Sequence, residues 1–408
     1  MTSRQTTPPN ANSDAQGLIS VSVVIPARNC MDDLRCCLEA IGHSQGVNSE
    51  VIVVDDCSDD ATGDTALQMH ADRVIQMSER SGPAVARNHG VKVASADIIV
   101  FIDADVQVMP DTIRRLAERL QQGPWSAVFG SYCVRPTSPG LVSQFRNLLH
   151  HFFHQTSEQE AGTFWAGCGA VRREVFVGEG GFSENYTIPC IEDVEFGVRL
   201  RRNEHRILLD AAIQATHRKH WSLYGTLRTD ILCRGIPWMR LLLEQGSLPN
   251  DLNIRVSQRL SVVLTAILIL AVFIQSVFDP WAMLVLPGLT GLVLAGDFAA
   301  IRGGAGLGSL VVVTGLAGLL AWSTAVWPVM GSVIVAGTAA IAVINREVFQ
   351  LFAAVRSTMF SIACLPLLLA YYFCCGVSAA VGLTQHWCSA SASSLRGMLF
   401  ASDARAES

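Results

Sequence analysis

Long apolar runs, in which Asp297 is the one charged residue, dominate the last third of the chain and constrain what it can fold into. A membrane-spanning helix needs about 20 predominantly apolar residues, whereas a helix on the surface of a soluble domain carries a polar face that these runs lack. Five runs are predicted to span a bilayer: 260–278, 281–301, 307–327, 329–344 and 360–383. We therefore expect an all-helical transmembrane region over residues 258–385, followed by a polar tail at 386–408.

Arginines near the ends of the runs predict their orientation, because loops on the cytoplasmic side favour basic residues. Four arginines fall on one side if all five runs cross: Arg259, Arg302, Arg346 and Arg356. The opposite connections, 278–281 and 326–329, hold tryptophan and no basic residue. The pattern predicts a multi-pass protein of the cell (plasma or inner) membrane, with residues 18–257 in the cytoplasm and the tail across the bilayer.

Residues 1–17 are polar and lack the apolar core of a signal peptide, so we expect a disordered tail. Strand-like and helical segments then alternate as far as residue 105. The apolar segments 21–26, 50–56, 73–78 and 97–105 enclose helical ones. This alternation predicts βαβ units and an α/β, Rossmann-like fold with a mostly parallel, mixed sheet. Continuous apolar strands suit a sheet that helices cover on both faces.

Polar residues follow three of these strands. Residues 27–29 end the first strand, Asp55 and Asp56 the second, and Asp103 and Asp105 the fourth. In parallel sheets, ligands bind beyond the carboxyl ends of the strands. Acids two residues apart in extended backbone project to the same side and suit one hard divalent cation, although aspartate is also common in turns.

Five segments, in this order, resemble the motifs of family 2 inverting glycosyltransferases with the A-type fold: VSVVIPARN, VIVVDDCSDDAT, GPAVARNHGV, FIDADV and IEDVEFGVRLRR. The likeness covers about residues 20–225. It implies a nucleotide-sugar donor, UDP- or GDP-linked, a divalent cation (Mg or Mn) as cofactor, and transfer with inversion.

The resemblance also implies a role for individual residues. The nucleotide-sugar pocket would be lined by Ala27, Asn29, Asp55, Asp56, Gly82 and Asp103. Asp105, together with Asp103, would hold the metal. Asp193 would be the catalytic base and Glu192 would position the acceptor or its helix, although acids in a first helical turn also serve as partners of the helix dipole. Arg87 and Asn88 either pin their helix or contact substrate.

Two further segments have alternative interpretations. Residues 216–225 resemble the flap that closes over the donor diphosphate, through His217, Lys219 and Trp221, but they also suit an interfacial segment beside the membrane. His150 and His154 are spaced for one helix face. Without an acidic partner nearby, they indicate an amphipathic helix that faces lipid or acceptor more than a metal site.

The sequence lacks the Q-x-x-R-W element of processive synthases, and the nearest approach is Arg234 and Trp238 in CRGIPW. We therefore expect transfer of one sugar to a membrane-held or lipid-linked acceptor, in the synthesis of a cell-envelope polysaccharide or glycolipid, without a nucleic-acid partner. A processive polysaccharide synthase and a polyprenyl-phosphate glycosyltransferase remain alternatives. A scaffold with a retired site would have lost the acids, and a nucleotidyltransferase would not need Glu192 and Asp193.

Overall fold

The computed structural model describes residues 18–246 and 255–406, so the predicted tail at 1–17 lies outside it. Within these residues, one curled mixed sheet has eight strands in the order β3-β2-β1-β4-β7-β6-β8-β5. The strands are β1 (Ile19–Ala27), β2 (Val47–Asp55), β3 (Arg73–Gln76), β4 (Ile98–Ile102), β5 (Val106–Val108), β6 (Ala127–Tyr132), β7 (Cys168–Arg172) and β8 (Ile207–His217). The predicted α/β fold with a mixed sheet, followed by helices, is confirmed.

The strands β1, β2, β3 and β4 are parallel to one another, and β7 pairs with β4 in antiparallel register. The helices of this part are α1 (Met31–Gly42), α2 (Thr62–Gln68), α3 (Pro83–Val93), α4 (Thr112–Gln122), α5 (Leu141–Thr156), α6 (Arg173–Gly178), α7 (Glu192–Arg202), α8 (Leu223–Arg228) and α9 (Ile236–Gln245), with a π-helical stretch at Thr229–Gly235. Along β1, Val23 and Ile25 face one core and Val24 the other. Because both faces are buried, the strands are continuously apolar.

The C-terminal part is helical, with a short 3₁₀ turn at Pro280–Leu284. Its helices are α10 (Val256–Phe278), α11 (Val285–Gly303), α12 (Ala305–Val326), α13 (Pro328–Ile344), α14 (Arg346–Val355), α15 (Thr358–Ala363) and α16 (Leu365–Ala406). Four helical segments are long and apolar enough to cross a membrane: Val256–Phe278, Pro280–Gly303, Ala305–Ser323 and Thr358–Cys388. α13 and α14 meet at a 74° bend and bring the number to five if the pair is one span. The predicted polar tail, residues 386–408, is helical as far as Ala406, because α16 extends through it.

Polar contacts attach the apolar helices to α5. Asp297, near the end of α11, accepts a hydrogen bond of 3.0 Å from the backbone N–H of Val142 in the first turn of α5. Arg356 donates to the side chain of Gln144 at 2.6 Å, and Arg255, before α10, donates to the carbonyl of Thr156. The N-terminal end of α10 and the C-terminal ends of α11 and α14 therefore lie on the same side as the sheet.

Helix α16 lies beside the end of α13 and beside α9. Tyr372 donates a hydrogen bond of 2.5 Å to Asn345, at the end of α13. A Cβ atom at Gly382 would lie 2.7 Å from the Met239 side chain of α9, and His386 lines a cavity with the charged residues Arg240 and Glu244. Charged groups are costly in the hydrocarbon core. These contacts would hold α16 beside the sheet domain and leave four crossings, α10 to α13, if the bent pair α13 and α14 forms one span.

This arrangement predicts a topology that differs from five crossings. A reporter active only in the cytoplasm, fused after Ser408, should give the same signal as one inserted in the exposed loop before α2, because α16 returns no segment to the far side. A reporter at Asp279, between α10 and α11, is the control for the opposite side. If the C-terminal fusion reads like the Asp279 insertion, α16 is a fifth span.

Candidate active site

The loops after β1 and β2 are joined to each other at the carboxyl ends of the strands. The Arg28 guanidinium donates to the carbonyl oxygens of Asp56 and Cys57 at 2.8 and 2.7 Å. Asn29, in left-handed backbone conformation with a φ of 47°, accepts a hydrogen bond of 2.7 Å from the Asp59 N–H. Ala27 ends β1 beside Asp55 in register. The first group of predicted nucleotide-pocket residues therefore lies together.

Asp56 connects this group to the loop before α3. Its two carboxylate oxygens accept hydrogen bonds from the N–H groups of Ser81 and Gly82, at 2.7 and 2.9 Å. Gly82 has a φ of 91°, and a Cβ atom there would lie 2.6 Å from the backbone of Thr187, so only glycine fits this approach. Asp55 is buried and accepts a hydrogen bond of 3.1 Å from the N–H of Ser58. The Asp55 carboxylate therefore stabilises the loop that follows β2.

A buried arginine joins the end of β4 to the start of α7. Arg87, on α3, donates to Asp103 Oδ1 at 2.6 Å and to Glu192 Oε1 at 2.8 Å, and the side chains of Arg87 and Glu192 are only 5% and 6% exposed. The neighbouring Asn88 exchanges two hydrogen bonds of 2.9 Å with the backbone of Phe182. Asn88 therefore holds the backbone at Phe182 in place, whereas Arg87 connects the predicted donor side to the predicted acceptor side.

Asp105 lies against β8. Val106 pairs with His217 across the antiparallel strands β5 and β8, which brings His217 Nε2 to 3.6 Å from Asp105 Oδ2. Burial alone would raise the pKa of Asp105, but the His217 imidazole and the positive charge of Lys219 hold that pKa below its usual value. The His217 ring stacks on Tyr132 with centroids 4.2 Å apart. Asp105 is therefore kept ionised in a fixed position.

The carboxylates fit a cation that is shared with substrate. Within the described residues, no group of three or more His, Cys, Asp or Glu side chains is placed to hold a metal ion. Magnesium commonly binds through one or two carboxylates, keeps several waters and takes its other ligands from substrate phosphates. Asp105, with Asp103 beside it, matches that requirement and does not match a closed, all-protein site.

Asp193, in the first turn of α7, has the electrostatic properties of a proton acceptor. Its Oδ2 accepts a hydrogen bond of 3.0 Å from the N–H of Ala166. Burial, supplemented by the negative charge of Glu192, raises the pKa of Asp193 to about 6, and Asp103 adds to the increase. Asp193 and Asp103 thus lie within electrostatic range of each other, and the donor-side and acceptor-side acids form one site.

The predicted flap residues have separate environments. His217 is buried beside Asp105, and Lys219 is exposed with its Nζ 4.7 Å from the centre of the Trp221 ring. Trp221 itself is only 6% exposed and packs in an apolar cluster with α5 and α16. In this conformation the Trp221 ring belongs to the junction with the apolar helices and not to the crevice.

The histidines of α5 face the sheet. His154 Nδ1 lies 2.9 Å from the carbonyl oxygen of Gly130, and burial lowers the pKa of His154 to about 4. The His150 ring contacts those of Tyr132 and Trp165, with centroids 4.7 and 4.9 Å apart. His150 and His154 therefore pack between α5 and the sheet, and both are neutral near pH 7.

The curled mixed sheet of eight strands, with acids beyond its parallel strands and at the start of α7, has the A-type glycosyltransferase fold. Residues 22–178 match the model of glycosyl transferase family 2. The chain thus carries a family 2 glycosyltransferase domain, followed by helices apolar enough to cross a membrane.

Several known proteins are similar to parts of this chain. A dolichol-phosphate mannosyltransferase of Pyrococcus furiosus is 35% identical over 118 residues, which are 28% of this chain and 34% of that protein. The succinoglycan biosynthesis protein ExoO of Rhizobium meliloti is 39% identical over 101 residues, or 24% and 29% of the two chains. The chain thus spans about a third of the length of these relatives. The mannosyltransferase PcManGT from Pyrobaculum calidifontis, solved with GDP-Man and Mn²⁺, has a TM-score of 0.46 at 18% identity and covers 88% of this chain and 86% of that chain.

Replacement of Arg87 tests its role in joining β4 to α7. Arg87→Met leaves the carboxylates of Asp103 and Glu192 without their buried partner, so the free energy of unfolding should fall by about 3–5 kcal/mol. Denaturation of the detergent-solubilised protein measures the change, with the exposed Arg80→Met as the matched control. Adding Glu192→Gln should restore part of the loss, because one unpaired charge is then removed. Equal stability of the two arginine variants would contradict this role.

Proposed function

We propose that the protein is a membrane-anchored, inverting glycosyltransferase that moves one sugar from a nucleotide-sugar donor to a membrane-held or lipid-linked acceptor. The observation that carries the proposal is the Arg87 link, which joins the predicted donor-side acid Asp103 to Glu192, the neighbour of Asp193 on the predicted acceptor side. A single displacement needs both substrates in such a site at once. The catalytic domain faces the cytoplasm, where nucleotide sugars are made.

Donor binding would use the residues beyond β1, β2 and β4. Asp56 and Gly82, which are hydrogen-bonded to each other, would contact the nucleoside together with Ala27 and Asn29. Asp105 and Asp103 would hold a divalent cation, Mg²⁺ or Mn²⁺. When bound, that cation neutralises the diphosphate and stabilises the departing nucleotide.

Asp193 would remove the proton from the acceptor hydroxyl as that oxygen attacks the sugar carbon. The proton moves to a carboxylate whose pKa is about 6, close enough to neutral pH for efficient base catalysis. Glu192 keeps this pKa raised and is itself held by Arg87. The acceptor would enter along Trp165 and His150, on the side that faces α5.

The raised pKa predicts a pH dependence. Asp193 acts only when deprotonated, so kcat/KM should rise with pH through a midpoint near 6 and then level off. Glu192→Gln should move the midpoint to lower pH, since it removes a neighbouring negative charge. Initial rates between pH 5 and 8 at saturating metal measure the profile. A midpoint that Glu192→Gln leaves unchanged would show that another group limits the rate.

Two substitutions separate donor binding from the chemical step. Asp105→Asn should weaken metal-dependent donor binding, because the amide lacks the charge that holds a divalent cation. Asp193→Asn should leave donor binding nearly intact while transfer falls by about 100-fold or more. Calorimetric titration of nucleotide with Mn²⁺, beside single-turnover transfer, distinguishes the two effects, and the exposed Asp64→Asn is the matched control.

The outcome for Asp193 decides its role. Loss of donor affinity in Asp193→Asn as severe as that in Asp105→Asn would assign Asp193 to the donor site or to the fold. Full transfer by Asp193→Asn would mean that the acceptor oxygen is already ionised, as in a lipid phosphate.

A further inference from the structure

Three cationic side chains surround one buried tryptophan ring where the sheet domain meets the apolar helices. Lys219 Nζ lies 4.7 Å from the centre of the Trp221 ring, and the guanidinium carbons of Arg146 and Arg234 lie 5.7 and 5.8 Å from it. Since a ring has two faces, at least two of these cations share a face. We refer to Lys219, Arg146, Arg234 and Trp221 as the cationic cluster.

The cluster holds more positive charge than its acids neutralise. Arg146 is paired with Asp230 through two hydrogen bonds of 2.8 and 2.5 Å, and both side chains are largely buried. In the part of the chain that the structure describes, neither Lys219 nor Arg234 has a carboxylate within 4.0 Å, and both are exposed. Two positive charges are therefore available to a ligand.

The position of the cluster relates it to the acceptor side of the crevice. Arg234 is close enough to Asp193 and Tyr132 for electrostatic interaction. Trp221 packs on its other side in the apolar cluster that contains Leu148 of α5 and Leu368 of α16. The free cations thus lie between the proposed base and the helices that face lipid.

The chemistry of these groups selects an anion with several oxygens. A guanidinium presents a planar fork of donors that matches phosphate, and a neighbouring ammonium adds a compact charge. Contact with the tryptophan ring orients both cations without neutralising them. The indole N–H of Trp221 is buried and has no hydrogen-bond partner among the described residues.

We propose that Arg234 and Lys219 bind the phosphate group of a lipid carrier that presents the acceptor, with the lipid chain directed toward α16. The inference rests on the proposed function and names the class of acceptor: a long-chain lipid phosphate or diphosphate ester. The donor diphosphate is assigned beyond β1, β2 and β4, and Lys219, whose charge also acts on Asp105, would face both phosphate-bearing substrates. Arg234 therefore recognises the acceptor and takes no part in donor binding.

The test uses the full-length protein in phosphatidylcholine nanodiscs. Its affinity is measured for farnesyl diphosphate and for farnesol, which have the same lipid chain and differ in charge. Wild type should bind the diphosphate at least about 10-fold more tightly than the alcohol, and Arg234→Gln should lose about 10-fold or more of the diphosphate affinity, because a hydrogen-bonded charge is removed. The matched control is Arg228→Gln, an exposed arginine immediately before the π-helical stretch. The farnesol affinity should not change in either variant.

A second arm measures GDP and UDP binding in the presence of Mn²⁺. Unchanged nucleotide affinity in Arg234→Gln would show that the variant is folded and that the donor site is separate. If Arg234→Gln instead weakens nucleotide binding and spares farnesyl diphosphate, the phosphate belongs to the donor and the lipid assignment is wrong. Equal binding of farnesyl diphosphate and farnesol by wild type would also overturn it. A wild type that binds the lipid diphosphate and neither nucleotide would contradict the proposed function while leaving this site in place.

Discussion

The ion pairs of Arg87 are the interaction on which the geometry of the crevice depends. The end of β4 and the start of α7 come from distant parts of the chain, and one buried guanidinium holds a carboxylate from each. A buried arginine with one partner removed would leave an uncompensated charge, so the three groups stabilise each other only as a set. The same arrangement places negative charge beside Asp193 and contributes to its raised pKa. Fold stability and the proton affinity of the proposed base therefore depend on one side chain.

A second constraint is the attachment of α5 to the apolar helices. The N-terminus of α5 is held by Asp297, its first turns by Arg356 and its C-terminal end by Arg255. On its other face, His151 and His154 lie 2.7 and 2.9 Å from carbonyl oxygens of β6. Because α5 is bonded on both sides, the sheet and the apolar helices have a defined relationship along this helix.

The elements near the N-terminus were predictable because they follow local periodicity. The predicted strand at 21–26 corresponds to β1, Ile19–Ala27, and the predicted start of α7 at Glu192 is where that helix begins. The ends of the first four apolar runs likewise marked α10 to α13 to within a few residues, whereas the fifth run, 360–383, did not predict that α16 continues to Ala406. Local patterns do not encode pairing between distant segments. The partners of Arg87, the contact of His217 with Asp105 through β5 and β8, and the position of α16 beside α9 arise from tertiary packing. Arg87 stood out in the sequence only as part of the segment GPAVARNHGV, which did not reveal its acidic partners.

The three anchors of α5 have a consequence for how an acceptor meets the site. With the apolar helices in a bilayer, as proposed, these anchors would fix the height of the crevice above its surface, and an acceptor embedded in the same leaflet would approach by lateral diffusion with its head group at one depth. The rate of encounter would then follow the surface density of that lipid and not its bulk concentration. A soluble sugar of identical structure would instead reach the crevice by diffusion in three dimensions, without a fixed depth. The attachment of α5 would thus favour a membrane-embedded acceptor over a soluble one of the same chemistry.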